Sequence, residues 1–283
     1  MKKKIIPFIA IALCMALLLS GCEGLFGKPE TKIYNLNYST DEDYLVGLTD
    51  SVIGSCVEVY GSSATGSASG SGVIIHTDKD KNETYILTNS HVITAKNGLK
   101  TIPDTVFGKI EICFFGSSTP YRAEIVNNAR SASSDKTTDL ALLKVGYYSE
   151  SHGPVRVYSG ALKYAQHILA IGNGQNLGTS VCDGLVSNPS ITFNAKDGGL
   201  TCELIQISAG VNPGNSGGAL FDMKGYLIGI NTLKLVANTA NDGNGESNVN
   251  IFADNISFSL PVSNLQRFMS DNGKSDLLNV VAS

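Results

Sequence analysis

From Ser51 onward, short apolar runs rich in β-branched residues alternate with clusters of Gly, Asn, Asp and Ser. This alternation is typical of a fold built from short strands and turns. No segment between the runs has the period of an amphipathic helix, which argues against a parallel α/β sheet. Twelve runs are predicted to be strands: Val52–Tyr60, Gly72–His76, Tyr85–Thr88, Ile110–Phe115, Tyr121–Val126, Leu140–Val145, Gln166–Ile171, Thr179–Val186, Thr201–Ile207, Gly218–Phe221, Tyr226–Thr232 and Ile256–Leu260.

The runs fall into two groups of six, divided near Tyr147–Pro154. We therefore predict an all-β fold of two six-stranded antiparallel β-barrels, although this spacing equally describes a sandwich. A short helix is expected to begin near Asp41, with Thr40 or Asp41 as its cap, and a second helix is expected over Ser263–Asp271, packed through Leu265 and Phe268.

Three polar stretches are predicted to be loops: Ala95–Lys109, Asn127–Lys136 and Ala237–Asn255. The last is rich in Asn, Gly and Asp, yet it lacks the ligand spacing of an EF-hand. We interpret it as a surface loop, and no metal site is predicted in this chain.

The N-terminal segment has the pattern of an export signal. Lys2–Lys4 are basic, and Ile5–Leu19 form an apolar run that ends in Leu19-Ser20-Gly21-Cys22. This ending resembles the bacterial lipoprotein signal, in which the cysteine becomes the acylated first residue; an ordinary signal peptide with a chance cysteine is the alternative. We expect residues 1–21 to be removed, Cys22 to be lipidated and residues 22–43 to form a tether.

Charge limits the classes of partner. The three lysines are the only charged residues before Cys22, so the 262 residues from Cys22 onward carry 18 basic and 25 acidic side chains, a net charge of −7. No basic cluster remains, and nucleic acid is therefore not expected as a partner. The length suits one large all-β domain or two small barrels.

Four cysteines remain beyond Cys22: Cys56, Cys113, Cys182 and Cys202. They have no CxxC or Cys/His spacing of a zinc site, and no cofactor is predicted. A domain of this size does not need disulfides, and such cysteines often act as small core residues. We expect at most one disulfide, Cys182–Cys202, because both residues lie on segments predicted to form one hairpin.

The segment Gly214-Asn215-Ser216-Gly217-Gly218 has the composition of a nucleophile turn. Glycine tolerates positive φ, which directs backbone N–H groups into a cleft. We identify Gly214, Asn215 and Ser216 as the candidate N–H donors of an oxyanion hole, with the Ser216 hydroxyl beside them.

Upstream of this turn lie His91 in Leu87–Val92 and Asp139 before the strand Leu140–Val145. Together with Ser216 they follow the chain order His…Asp…Ser of the chymotrypsin-like arrangement. Asp135 is an alternative to Asp139. We favour Asp139 because it directly precedes a predicted strand that would fix its position, whereas Asp135 lies in a polar loop.

Three further histidines, His76, His152 and His167, fall at predicted strand or turn positions.

These residues and their flanks resemble the HtrA/Deg type of trypsin-like serine proteases. The resemblance runs from about Ser51 to about Met269 and is carried by five segments: Gly70–Ile75, Ala170–Asn173, Val211–Leu220, Gly225–Thr232 and Ile256–Pro261. The chain departs from the family at Ile207–Gly210, where the family usually has an acidic residue, and in a longer stretch between His91 and Asp139. No segment after residue 270 corresponds to the family's usual PDZ domain.

The resemblance implies a double-barrel protease fold with the active site in the cleft between the barrels. The protease domain would span residues 44–270, with one barrel at about 44–148, the other at about 155–262, and a C-terminal tail at 271–283. His91 would act as the base, Asp139 would orient it and Ser216 would attack, while Gly214 and Ser216 would be the main oxyanion donors. Thr232 would contact the catalytic aspartate.

By the same resemblance, Gly210 and Val211 form the primary specificity pocket. Neither side chain is charged, so cleavage is expected after small or medium aliphatic residues such as Val, Ala or Leu. Glu203 and Asp222 remain alternatives that could bring an acidic group to the pocket from another strand.

The function that the resemblance implies is that of a serine endopeptidase acting on polypeptides, unfolded ones in particular. It would be held by a lipid anchor on a bacterial membrane, outside the cytoplasm. The alternative is a protease-fold lipoprotein that binds peptide, or acts as a chaperone, with little turnover.

Overall fold

A computed structural model of the chain describes residues 42–64, 66–95, 105–129, 139–194, 201–238 and 250–281. Two α-helices, α1 (Glu42–Val52) and α2 (Val262–Asp271), lie near the two ends of this part. The 3₁₀ turns among the described residues are Ile53–Ser55, Ser90–Val92, Gly174–Asn176 and Ser275–Leu277.

The described residues form sixteen strands: β1 Cys56–Ser63, β2 Gly66–Asp78, β3 Glu83–Thr88, β4 Thr94–Ala95, β5 Thr105–Val106, β6 Lys109–Phe114, β7 Pro120–Asn128, β8 Ala141–Val145, β9 Val157–Tyr158, β10 His167–Gly172, β11 Ser180–Asn194, β12 Thr201–Ile207, β13 Ala219–Asp222, β14 Leu227–Asn238, β15 Asn250–Pro261 and β16 Val280–Val281.

The first barrel is closed, antiparallel and six-stranded, in the order β1-β2-β3-β8-β7-β6 with β6 paired back to β1. The second barrel follows the order β10-β11-β12-β15-β14-β13 and closes where β13 pairs with β10. Two short strands extend the sheet of the second barrel: β9 pairs in parallel with β14, and β16 pairs in parallel with β9. The predicted all-β fold of two six-stranded antiparallel barrels is confirmed, and the sandwich alternative is wrong.

The alternation of side chains along each strand creates three apolar cores. In β8, Ala141, Leu143 and Val145 face the interior of the first barrel, whereas Leu142 packs in a cluster that also contains Phe221 of the second barrel. A third cluster fills the interior of the second barrel. Strands such as β8 are apolar on both faces because one face closes a barrel and the other packs against the neighbouring barrel.

Helix α1 packs against the second barrel although it precedes the first barrel in sequence. Tyr44, Leu48 and Val52 recur every four residues and are buried, which places them on one face of the helix. Leu48 and Val52 adjoin Gly225, in the turn between β13 and β14. The helix therefore ties the start of the described chain to the far barrel.

The twelve predicted strands all correspond to observed barrel strands. Most ends differ by a few residues, but β11 continues eight residues beyond the predicted end at Val186. The prediction for Val52–Tyr60 is wrong at its start, because Val52 ends α1 and Ile53–Ser55 form a 3₁₀ turn. The packing of Val52 on the same helical face as Leu48 overrides its preference for strands. The helix predicted over Ser263–Asp271 is confirmed, with Leu265 and Phe268 buried.

The loop prediction for Ala237–Asn255 is wrong at both ends. β14 continues to Asn238 and β15 begins at Asn250, so the two strands pair beyond the barrel and extend this hairpin. In the predicted loop Ala95–Lys109, Thr94–Ala95 pairs with Thr105–Val106 as a two-stranded ribbon. Backbone pairing between neighbouring strands thus continues into segments that the sequence pattern assigns to loops.

The predicted Cys182–Cys202 disulfide is wrong, since Cys182 is a free thiol. The expected hairpin of β11 and β12 does form, but its register pairs Cys202 with Phe193, eleven residues along β11 from Cys182. At about 3.3 Å per residue, this separation lies far beyond the reach of a disulfide. Cys56 and Cys113 are also free.

Several predictions concern residues outside the described part: the signal segment 1–21, Cys22, the helix caps Thr40 and Asp41, and Asp135. Of the predicted tether, only Glu42 and Asp43 are described, and they begin α1. Within the described residues, no helix combines the length and the apolar character that crossing a membrane requires.

Candidate active site

Asp139 and His91 lie at one edge of the first barrel, where β3 ends and β8 begins. These strands are antiparallel neighbours with Thr88 opposite Ala141. The chain leaving Thr88 and the chain entering Ala141 therefore meet at this edge. The 3₁₀ turn Ser90–Val92 then carries His91 toward the cleft between the barrels.

The carboxylate of Asp139 is buried and holds His91 at two points. Asp139 Oδ2 lies 2.5 Å from His91 Nδ1, and Asp139 Oδ1 accepts the His91 backbone N–H at 3.0 Å. The amide of Asn89 donates to the Asp139 carbonyl oxygen at 2.7 Å. An aspartate at Nδ1 favours the tautomer with its proton on that nitrogen, so Nε2 is left as the proton acceptor.

The serine turn between β12 and β13 requires glycine at two positions. Gly214 has φ +99° and Gly217 has φ +86°, in the region that side chains disfavour. A Cβ on Gly217 would also collide with the Ser71 carbonyl oxygen and the Thr88 hydroxyl. The turn of the second barrel thus packs directly on the segment that leads to His91.

The backbone of the turn distinguishes the predicted oxyanion donors. The N–H of Asn215 donates to the Asn212 carbonyl at 2.9 Å, and the Asn215 carbonyl accepts from Gly218 N–H at 3.0 Å. Among the residues that the structure describes, no acceptor is bonded to the N–H of Gly214 or of Ser216. These two groups are therefore free to receive a developing oxyanion, whereas the Asn215 N–H is occupied.

The hydroxyl of Ser216 donates to the Thr232 carbonyl oxygen at 3.1 Å. Within the described chain, no hydrogen bond joins Ser216 to His91. Thr232 is buried, at 4% exposure, and its main chain contacts the serine. Its predicted contact with Asp139 stays a prediction.

One residue of this site has no role assigned by the sequence. Ser71 of β2 donates its backbone N–H to the Ser216 carbonyl at 2.8 Å. Its hydroxyl donates to the Gly214 carbonyl at 2.7 Å and accepts the Asn173 backbone N–H at 2.7 Å. The Gly-Ser-Gly segment at 70–72 belongs to the family resemblance, but only the folded chain brings Ser71 to the serine turn.

The side chain of Tyr60, in the first barrel, contacts the same region. The Tyr60 hydroxyl donates to Glu58 Oε2 at 2.5 Å and accepts from the Asn173 amide at 3.3 Å. Burial, with the hydrogen bond to Glu58 as the next cause, raises the pKa of Tyr60 to about 12. The phenol therefore stays neutral at physiological pH and keeps both contacts.

The two residues of the predicted specificity pocket carry no charged side chain, and the described contacts nearby are with uncharged groups or buried apolar residues. Gly210 donates its N–H to Cys182 Sγ at 3.3 Å, and Val211, at 2% exposure, packs in the interior of the second barrel. Glu203 is exposed on β12. Asp222 ends β13, at the opposite end from the serine turn.

The other histidines lie elsewhere in the fold, as predicted. His76 is in β2 and His167 begins β10. His152 lies in the connection between the barrels, with its Nε2 3.0 Å from the Phe115 carbonyl oxygen.

Two antiparallel six-stranded barrels that bring together His91, Asp139 and the serine turn form a chymotrypsin-like architecture. The family model of the trypsin-like peptidase domain matches residues 70–230, which include all three residues. The chain belongs to the trypsin-like peptidase family and is of the HtrA type.

The assignment to the HtrA type rests on comparisons with known proteins. The chain is 31% identical over 213 residues to the serine protease Do-like HtrB of Bacillus subtilis (strain 168), across 73% of this chain and 39% of the relative. It is 34% identical over 182 residues to a probable periplasmic serine endoprotease DegP-like of Buchnera aphidicola subsp. Baizongia pistaciae (strain Bp), across 63% of this chain and 33% of that protein. The chain thus spans well under half the length of these relatives.

The fold matches a solved structure as well. It superposes on the HtrA-type protease AlgW with tripeptide with a TM-score of 0.60 and 25% identity, across 82% of this chain and 64% of that chain.

Proposed function

We propose that this chain is a serine endopeptidase that hydrolyses peptide bonds in polypeptides, unfolded ones in particular, through Ser216, His91 and Asp139. The observation that carries the proposal is the pairing of His91 with buried Asp139 at 2.5 Å, at the edge on which the Ser216 turn packs. The similar HtrA-type protease AlgW was solved with a tripeptide, which supports peptides as ligands of this chain.

In this mechanism the Ser216 hydroxyl attacks the scissile carbonyl carbon while His91 Nε2 removes its proton. Asp139 stabilises the imidazolium that forms. The N–H groups of Gly214 and Ser216 donate to the oxyanion of the tetrahedral intermediate. His91 then protonates the leaving amine, and water hydrolyses the acyl-enzyme by the same steps in reverse.

The hydrogen bond from Ser216 to Thr232 describes a resting arrangement. In the proposed mechanism, rotation about the Cα–Cβ bond of Ser216 brings its hydroxyl from this carbonyl to His91. Catalytic hydrogen bonds in ligand-free enzymes are often long or misaligned and tighten in the substrate complex. Substrate binding would therefore complete the Ser216–His91 contact.

The pocket at Gly210 is proposed to accept small or medium aliphatic side chains. A lysine or arginine entering it would lose hydration without an acidic partner, which is costly. Among the described residues, the side chains of Cys182 and Asn215 contact the Gly210 backbone, at 3.3 Å and 3.4 Å, and neither is a carboxylate. Discrimination between aliphatic residues should be modest, since one methylene contributes about 1–3 kcal/mol.

We also propose that the protein is exported and lipid-anchored through Cys22. The apolar run ending in Leu19-Ser20-Gly21-Cys22 supports an anchor. The name of the DegP-like relative, a probable periplasmic endoprotease, supports a site of action outside the cytoplasm.

The test is hydrolysis of unfolded protein and of a peptide library by Ser216→Ala, His91→Ala and Asp139→Asn. Each variant should lose at least about 10³-fold in kcat while it stays folded, and a double variant should be little worse than a single one. A fluorophosphonate should label Ser216 in the wild type. Unchanged hydrolysis by Ser216→Ala would exclude the assignment, and dominant cleavage after Lys or Arg would exclude the uncharged pocket.

A second candidate function is peptide binding or chaperone action with little turnover. The observation in its favour is that Ser216 bonds to Thr232 and not to His91. Wild-type protein that binds unfolded polypeptide, is not labelled by fluorophosphonate and does not cleave would support it.

A further inference from the structure

Ser71 connects the first barrel to the serine turn through both its side chain and its backbone. It lies in β2 at 1% exposure, and the two hydrogen bonds of its hydroxyl span 143 and 102 residues of sequence. Strand β2 therefore supplies a fixed point to which two loops of the second barrel are attached.

The first of these loops is the serine turn, where the Ser71 hydroxyl donates to the Gly214 carbonyl at 2.7 Å. This bond fixes the Gly214–Asn215 peptide, whose N–H then points away from Ser71 and donates to Asn212 at 2.9 Å. The planarity of the peptide makes these two directions dependent on each other. The Ser71 hydroxyl thus holds one side of Gly214, the residue at φ +99°.

The second loop is the one that follows β10. The Ser71 hydroxyl accepts the backbone N–H of Asn173 at 2.7 Å. Two residues later, the backbone N–H of Gln175 donates to the Pro213 carbonyl at 2.7 Å. Because the peptide is planar, the N–H of Gly214 points opposite to that carbonyl, which is the direction open to an oxyanion.

One hydroxyl therefore supports both peptides that flank Gly214. It binds the Gly214 carbonyl directly, and it anchors Asn173 in the loop whose Gln175 binds Pro213. Glycine offers little resistance to rotation of either peptide, so the direction of the Gly214 N–H depends on these bonds.

We propose that Ser71 is a positioning residue for the oxyanion hole: its hydroxyl keeps the N–H of Gly214 directed at the reacting carbonyl oxygen. This inference rests on the proposed peptidase function. Ser71 touches neither substrate nor the reacting atoms, and acts through the conformation of the turn.

The experiment compares Ser71→Ala with wild type in steady-state hydrolysis of a peptide substrate, with concentrations set by fluorophosphonate titration of competent sites. Removing the hydroxyl leaves the Gly214 carbonyl and the Asn173 N–H without their partner. Loss of an oxyanion donor costs about 10²–10³ in kcat, and loss of the support for one should cost about tenfold to a hundredfold. KM should stay within about twofold of wild type, because ground-state binding does not use the oxyanion hole.

A peptide aldehyde of the same sequence provides a second readout. Its hemiacetal oxygen occupies the oxyanion position, so its Ki should rise by the same factor as kcat/KM falls. Ser67→Ala, on an exposed position of the same strand, is the matched control and should retain the wild-type kcat and Ki. If Ser71→Ala does not fold, Ser71→Cys is used in its place. A thiol is a weaker hydrogen-bond donor and acceptor than a hydroxyl. The Ser71→Cys variant should therefore show the same loss of kcat at unchanged KM.

The outcomes separate this inference from the function on which it rests. If the wild type is active and the Ser71 variant keeps kcat within twofold, or keeps an unchanged aldehyde Ki, the proposed role of Ser71 is wrong. The peptidase function itself would then still stand. A rise in KM as large as the fall in kcat would also overturn it, in favour of a general structural role. Wild type that neither cleaves nor reacts with fluorophosphonate would overturn the peptidase function, and the role of Ser71 with it.

Discussion

The carboxylate of Asp222 closes the turn between β13 and β14. Its Oδ1 accepts the backbone N–H groups of Lys224 and Tyr226, both at 2.9 Å. Burial raises the pKa of the Asp222 carboxyl, and these hydrogen bonds oppose the rise. The folded protein therefore binds the Asp222 proton more tightly than the unfolded chain does, and this difference can be measured.

Asp222→Asn tests this linkage, because the amide oxygen can keep both N–H bonds without a charge. In wild type, a raised pKa means that the free energy of unfolding falls as pH rises from about 4, the unfolded value, through the folded value. The variant should be as stable as wild type, or more stable, at pH 7, and its advantage should vanish below about pH 4. Urea unfolding across this range is the measurement, with Asp183→Asn on an exposed strand position as control. An advantage that persists unchanged at low pH would contradict the proposed linkage.

Helix α1 shows how an element outside both barrels contributes to the fold. Its sequence pattern is short, and its start could be predicted near Asp41, but not its end, because Val52 looks equally like the first residue of a strand. Only the packing of Leu48 and Val52 beside Gly225, a contact with the distant barrel, extends the helix to that point. The local sequence of the helix therefore could not predict where the helix ends.

Leu48→Ala should lower the free energy of unfolding by about 2–5 kcal/mol, since Leu48 is fully buried, at 0% exposure. Val46→Ala on the same helix, at 54% exposure, is the matched control and should change it by less than about 0.5 kcal/mol. Chemical denaturation measures both. Equal effects would mean that α1 is not held by its buried face.

At the scale of the whole molecule, the sequence predicts the two barrels well because strand alternation repeats within each. His91, Asp139 and Ser216 could be proposed as site residues because each stands beside a recognisable strand or turn. Ser71 could not be given a role, because its hydrogen bonds join segments brought together by the docking of the barrels. Gln175 could not either, because its bond to Pro213 joins two loops of the second barrel that are distant in sequence. The Cys182–Cys202 prediction failed because hairpin membership does not fix register.

At the same scale, the proposed attachment of the protein to a membrane would depend on Cys22. Cys22→Ser should move the protein from the membrane fraction to the soluble fraction, because two or more acyl chains give stable anchoring and a single chain is marginal. Fractionation followed by mass spectrometry of the mature N-terminus is the measurement. Membrane retention of Cys22→Ser equal to that of wild type would place the anchor elsewhere.

The division of the proposed site between the barrels also sets when this site can assemble. His91 and Asp139 are synthesised with the first barrel, but the Ser216 turn is held by the second, which closes only after β15, ending at Pro261, has paired with β12 and β14. Domains form in order as the chain emerges. Under the proposed mechanism, a nascent chain therefore carries its base before its nucleophile is in place, and the order of synthesis delays cleavage until the chain has passed Pro261.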